Sequence, residues 1–284
     1  MTDLLFEISE NLKGKKVDGY TKQSFLGKYD TLKTHIEIKT DKAKKMFNRE
    51  VGNYTSIQCS RLTPYDTNVK NYIIECLTNI LLDYIKMACP KAKNFLIVGI
   101  GNRNFISDSL GPKVNKNIII TRHVKINNPK VLDERLNSVS ALSPSVLGVT
   151  GIETINIVLG VVERIKPDLV FVVDTLLANN YKYLGNCFQV SNVGLVPGSG
   201  VNNAQNLIDS NTLKVPTISI GVPLVVSATN FCGEEVKNPE LENLVVTPKD
   251  IDIIVDSCAL IIATSLNCAI HKKMSIDEIL DYMN

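Results

Sequence analysis

The sequence predicts an α/β fold: three layers, α/β/α, around a mostly parallel central sheet. Three short stretches, residues 95–100 (FLIVGI), 168–173 (DLVFVV) and 216–221 (PTISIG), are almost wholly apolar and rich in β-branched side chains. Segments of helical periodicity separate them, and strands buried on both faces that alternate with helices form parallel sheets. Each stretch ends in residues unsuited to a core: Asn102 to Asp108, then Asp174, then Gly221 to Pro223. Ligands of open α/β sheets bind beyond the carboxyl ends of the strands, so these three ends, if the strands are neighbours, form a site.

Taken in order, residues 1–60 read as an extension packed on the remainder, 61–284, of a single α/β domain. Alternation at 35–39 (HIEIK) predicts a half-exposed strand, and 54–59 (YTSIQC) another. Val69, Ile73, Cys76, Leu77, Ile80, Leu81 and Tyr84 recur at three- and four-residue steps, predicting a helix over 67–88 that Pro90 closes. The strand at 95–100 follows, then a polar loop that Gly111-Pro112 ends. Residues 117–122 (NIIITR) predict a short strand reaching His123, and 125–145 read as irregular. Thr150 and Glu153 match a capping box, so a helix is expected from Thr150 to about Ile165, stopped by Pro167. A turn-rich loop (PGSG, 197–200) precedes the third strand. A helix over 248–272 and a second capping box, Ser275 with Glu278, complete the chain.

Composition removes several function classes. A net charge of +2, from 31 basic and 29 acidic residues, gives no electrostatic footprint for nucleic acid or anionic lipid. The seven cysteines are never spaced CxxC and read as reduced core residues. Acidic residues interrupt the first apolar stretch, so no secretory signal is read there, and no run is read as membrane-spanning. The expectation is a cytoplasmic protein with neither membrane nor nucleic-acid partner.

Motifs narrow the chemistry further. Gly99-x-Gly101 lacks the third glycine of a dinucleotide fingerprint, and no phosphate-binding GxxxxGK[ST] or zinc-binding HExxH occurs. Gly198-Ser199-Gly200 follows a polar segment instead of the buried strand a nucleophile elbow needs. What remains is Asp108 and Asp174, each placed just past a buried strand. Two carboxyls held together cannot both ionise freely; one proton is shared, and the pair can activate water while protonating a leaving amine. The other reading makes each an ordinary N-cap of a following helix. Asn102, with the loop at Gly101 and Asn104, offers oxyanion donors.

The ordered set GNRNFISDSLGPK (101–113), ITRH (120–123), GVTGIET (148–154), VVDTLLAN (172–179), PGSGV (197–201), IGVP (220–223) and VTPKDID (246–252) resembles the germination protease family of spore-forming bacteria. The likeness runs from about Leu96 to His271. It implies an endopeptidase that degrades the small acid-soluble proteins of spores at germination, in the cytoplasm of the spore core. It further implies an aspartic peptidase unlike pepsin, with a fold like the hydrogenase maturation proteases and no cofactor. The family's two proposed catalytic aspartates match Asp108 and Asp174. Its site loops bring His123, Gly198 and Ser199 forward as substrate support. Homotetramers and an inactive zymogen are also implied, and Asp3-Leu4 is similar to the family's self-processing point, which makes residues 1–3 a short pro-segment. This chain departs from the pattern at Asn179, Val196 and Ser227, where arginine, histidine and an acidic residue are usual. Two other functions stay open: a non-catalytic spore protein that binds a partner on the same scaffold, and a metal-assisted peptidase in which Asp108, Asp174 and His123 hold the ion.

Overall fold

A computed structural model describes residues 2–12, 18–196, 207–232, 241, 244–271 and 274–283 of the 284-residue chain. In chain order the helices are α1 (Leu5–Asn11), α2 (Asp41–Phe47), α3 (Thr67–Ala88), α4 (Leu110–Lys116), α5 (Arg122–Asn127), α6 (Leu147–Thr150), α7 (Thr154–Ile165), α8 (Ser210–Leu213), α9 (Ala228–Cys232), α10 (Ile251–Ile270) and α11 (Ile276–Met283). The strands are β1 (Tyr20–Leu26), β2 (Thr31–Ile38), β3 (Gly52–Cys59), β4 (Asn94–Gly99), β5 (Ser138–Leu142), β6 (Leu169–Ala178), β7 (Cys187–Ser191), β8 (Thr217–Ser227) and β9 (Val245–Val246). They form one mixed sheet in the order β1-β2-β3-β7-β8-β6-β4-β5, with β9 paired to β8. The three apolar stretches are the neighbours β8, β6 and β4, parallel to one another, and β5 extends the parallel part. The first 60 residues supply three antiparallel strands of the same sheet, joined through β3 to β7.

Helices cover both faces. On one, α3 and α10, with the start of α4, close over Ile57, Phe95, Ile97, Phe171, Val173, Phe188, Ile218 and Ile220. The period-2 alternation of each strand sends its other residues to the opposite face. There α7 covers Leu96, Val98, Val170 and Val172, while α1 and α2 cover Ile36, Ile38, Tyr54 and Cys187. Between those two coverings the middle of the sheet carries Asp174, Gln189, Ser191 and Ser219, which line a cleft together with Lys44 and Lys45 of α2.

Several local expectations change. Residues 117–122 are not a strand. Ile118 packs into the main core, Ile119 against a smaller cluster with Leu136, Ile120 is exposed, and the chain enters α5 at Arg122. The edge strand β5 lies instead in the stretch read as irregular; only Ser138 and Val139 of it are buried, which hides its signal. Thr150 ends α6 and does not begin α7; its hydroxyl serves the local turn, accepting from the Ile152 amide at 3.1 Å. Gly111-Pro112 does not stop the chain but lies in the first turn of α4, where proline's missing N–H costs nothing. The Ser275–Glu278 capping box is present in both directions, at 2.8 and 3.2 Å. α10 is long and apolar enough to cross a membrane, against the reading of the sequence, yet two-thirds of it is buried inside the protein.

Asn267, fully buried on α10, satisfies the irregular chain beneath it. Its carbonyl oxygen accepts from the Ile119 amide at 3.1 Å and its amide donates to the Asn117 carbonyl at 3.0 Å. Asn267→Leu leaves two part-buried main-chain groups without these partners. The expected loss is about 2–3 kcal/mol, read as a lower denaturant midpoint at unchanged slope.

Candidate active site

The site starts where β4 ends. The Ile100 amide donates to the Val173 carbonyl of β6 at 2.8 Å, and the chain then reverses at Gly101. Gly101 has φ +117°, and a Cβ there would lie 1.9 Å from the Asp108 carbonyl oxygen. Only glycine permits so close an approach at that φ. Gly99 and Gly111 make a second tight fit, each Cβ position lying within 2.5 Å of the other's backbone, so α4 starts directly against the end of β4.

The loop between is folded on itself. The Asn104 amide donates to Asn102 Oδ1 at 3.0 Å, and the Asn102 amide donates to Asp108 Oδ2 at 2.9 Å. Of the residues expected as oxyanion donors, Asn102 thus directs its backbone amide at Asp108 and Asn104 directs its own at the Asn102 side chain. The N-cap of α4 is Ser109, and Asp108 accepts from Asn102 instead, so it caps no helix.

Asp174 lies inside β6, opposite Gly221 of β8, because the strand continues to Ala178. It also caps no helix. Its carboxylate accepts from the Thr175 amide at 2.8 Å, and the Thr175 hydroxyl reaches the Ser107 carbonyl at 3.1 Å, tying β6 to the Asp108 turn. Burial drives the Asp174 carboxyl well above the ordinary range; the charge of Asp108 raises it further, the Thr175 amide opposes, and Asp3 adds to the rise. Asp108 is also raised, by burial, against the lowering effect of the Asn102 amide. The chain thus brings both aspartates to the same rim of the sheet.

A cleft of about 450 Å³ opens beside Asp174, lined by Asp3, Arg49, Gln189, Ser191 and Ser219 among others. Three of its residues carry no sequence signal: Arg49 follows α2 on an irregular turn, Gln189 is one polar residue in a short strand, and Asp3 comes from the far end of the chain. Leu4, fully buried, anchors that end in the cluster under α1 and α2.

His123 does not join the site. Thr121, two residues earlier, pairs with Val139, whose strand partner is Phe95 near the amino end of β4. His123 is exposed there, at the opposite rim from Asp108 and Asp174. The donor set Asp108, Asp174 and His123 cannot hold one ion, and no other cluster of three His, Cys, Asp or Glu suited to a metal occurs among the described residues. Gly198 and Ser199 lie outside the described residues.

A raised carboxyl has a consequence for stability. Between its ordinary and its folded-state pKa the native protein holds more protons than the unfolded chain, so stability falls as pH rises through that window. Asp174→Asn removes this penalty. The variant is expected to melt higher than the parent at pH 7, every tenfold of raised proton affinity being worth about 1.4 kcal/mol, with the gap closing below about pH 4. Thermal melts across that range measure it.

The family model described as germination protease matches residues 7–237. A germination protease of Caldanaerobacter subterraneus subsp. tengcongensis is 34% identical, covering 98% of this chain and 96% of the relative. One from Clostridium tetani is 33% identical, covering 88% of each. Among solved structures, the [NiFe] hydrogenase maturation protease HycI of Thermococcus kodakarensis KOD1 aligns at a TM-score of 0.38 and 18% identity, over 66% of this chain and 98% of that one.

Proposed function

The chain belongs to the germination protease family, and from that premise we propose that it is an aspartic-type endopeptidase of spore germination with Asp108 and Asp174 as its catalytic pair. Its substrates on this reading are the small acid-soluble proteins of the spore, and it acts in the spore cytoplasm as a homo-oligomer, a tetramer by family resemblance. The observation that carries the reading is the pairing itself: two carboxyls raised by burial at one rim, the deeper raised again by the charge of the other.

The environments divide the labour. Each carboxylate accepts one backbone N–H, so burial decides: Asp174, the more deeply buried, holds the proton, and Asp108, nearer solvent, is the base. Asp108 takes a proton from water as the water oxygen bonds to the peptide carbon, and Asp174 gives its proton to the carbonyl oxygen. The protonated Asp108 then donates to the departing nitrogen as the C–N bond breaks, and Asp174 recovers a proton from the diol. Both carboxyls return to their starting states.

Purified protein incubated with a small acid-soluble spore protein, followed by mass spectrometry of the products, tests the assignment. Discrete internal cleavages are expected; an intact substrate after prolonged incubation at every pH from about 4 to 8 would overturn it.

A further inference from the structure

On the edge that faces β4, β6 is longer than its neighbour. β4 ends opposite Val173, while β6 runs five residues further, held by β8 alone. The two-residue period of a strand turns the main-chain groups of Val173, Thr175 and Leu177 toward that vacated side. Ile100 takes the carbonyl of Val173, and the Thr175 amide is closed by the carboxylate of Asp174. Leu177 is left as an open rung, which the chain's own first residues fill. The Asp3 amide donates to the Leu177 carbonyl at 2.8 Å, and the Leu177 amide donates to Asp3 Oδ2 at 2.9 Å.

Two side chains hold this segment straight. Gln189 presents its carboxamide like the edge of another strand: Nε2 donates to the Asp3 carbonyl at 3.0 Å and Oε1 accepts from the Leu5 amide at 2.9 Å. Arg49 donates to the Thr2 carbonyl at 2.5 Å and to Asp3 Oδ1 at 3.4 Å. Leu4 between them is extended, at φ −83° and ψ 113°. Thr2 and Asp3 carbonyls, with Asp3 and Leu5 amides, are groups that any peptide possesses. Adding an extended peptide to an open sheet edge by such contacts is a general mode of recognition.

We propose that the free edge of β6 at Leu177, with Gln189 and Arg49, is the clamp that holds a peptide substrate extended beside Asp174, and that residues 2–5 are its resident occupant, which a substrate displaces. This rests on the peptidase reading above for the word substrate, but the clamp itself is a binding claim. Gln189 and Arg49 are positioning residues, since they touch the main chain of the segment, Arg49 also the Asp3 carboxylate, and not the reacting atoms. The resident segment is tethered, so it competes at a high effective concentration and lowers the apparent affinity of any incoming peptide.

The test uses the full-length chain with Asp174→Asn to stop turnover, and a fluorescein-labelled peptide copied from residues 1–8 (MTDLLFEI) as probe. Anisotropy is expected to report saturable binding. At saturation, amide exchange of the isotope-labelled chain should speed up at Asp3 and Leu5 while Leu177 stays protected. Asp3→Ala, which loosens the resident, should tighten apparent binding about fivefold. Adding Gln189→Ala to that background should weaken it about tenfold, the effect of losing two part-buried hydrogen bonds. Continued protection of Asp3 and Leu5 under saturating peptide, or no effect of Gln189→Ala in the Asp3→Ala background, overturns the clamp. Binding with displacement but no cleavage by the unmodified chain leaves the clamp standing and removes the peptidase; cleavage with the segment still docked does the reverse.

Discussion

Asp108→Asn and Asp174→Asn are each expected to lower peptide-bond cleavage by roughly 10²–10⁴-fold while leaving the fold intact. An amide cannot take the proton of water or return one to nitrogen, yet it keeps the size and the acceptor oxygen of the carboxylate. The Thr175 amide retains its partner in Asp174→Asn, and the Asn102 amide in Asp108→Asn. The controls are unchanged circular dichroism and a melting temperature no lower than the parent's. The pH profile should be a bell. Activity rises with pH as Asp108 ionises and falls as Asp174 loses its proton, and because both carboxyls are raised, the rising limb lies above the ordinary carboxylate range. Full activity in either variant removes the dyad.

Gly101→Ala should be nearly as damaging to catalysis without touching a carboxylate. At φ +117° an alanine is strained by about 1–3 kcal/mol, and its methyl would stand 1.9 Å from the Asp108 carbonyl oxygen. Backbone cannot swing aside as a flexible side chain can, so the turn carrying Asp108 must shift. A displacement of about 1 Å at a reacting group costs on the order of 10²-fold. The matched control is Gly148→Ala in α6, where nothing lies within 4 Å of the new methyl and the helix should gain up to about 1 kcal/mol. Equal activity of the Gly101→Ala variant and the parent would separate the loop from the chemistry.

Much of this architecture is legible in the residues. The helix at Thr67–Ala88 follows from the spacing of its apolar positions, and the three apolar stretches do lie side by side and parallel. Their ends converge, as neighbouring parallel strands require. The antiparallel half is harder to read. β1 is exposed along nearly its whole length, so no alternation marks it, and β7 is five residues held between β3 and β8. The length of β6 was hidden for a related reason. Asp174 looks like a terminator in sequence, but β8 continues to pair beyond it, with a register shift between Leu176 and Leu177. Arg49, Gln189 and Asp3 meet only through the sheet order, and no local pattern encodes such a meeting. The isoleucines at 118–120 mislead in the opposite way: Ile118 is buried without being in a strand and Ile120 is exposed, yet the run reads as one apolar strand.

α10 has one more consequence, for the order in which the molecule can assemble. It is buried along most of its length, and with α3 it closes the larger of the two faces, so that covering stays incomplete until the last eighth of the polypeptide exists. Parallel pairings are long-range contacts that form slowly. A ribosome-bound chain halted before Ile251 would therefore carry a sheet face that α3 covers only in part and should be captured by chaperones, whereas emergence of α10 should trigger folding in a single late step.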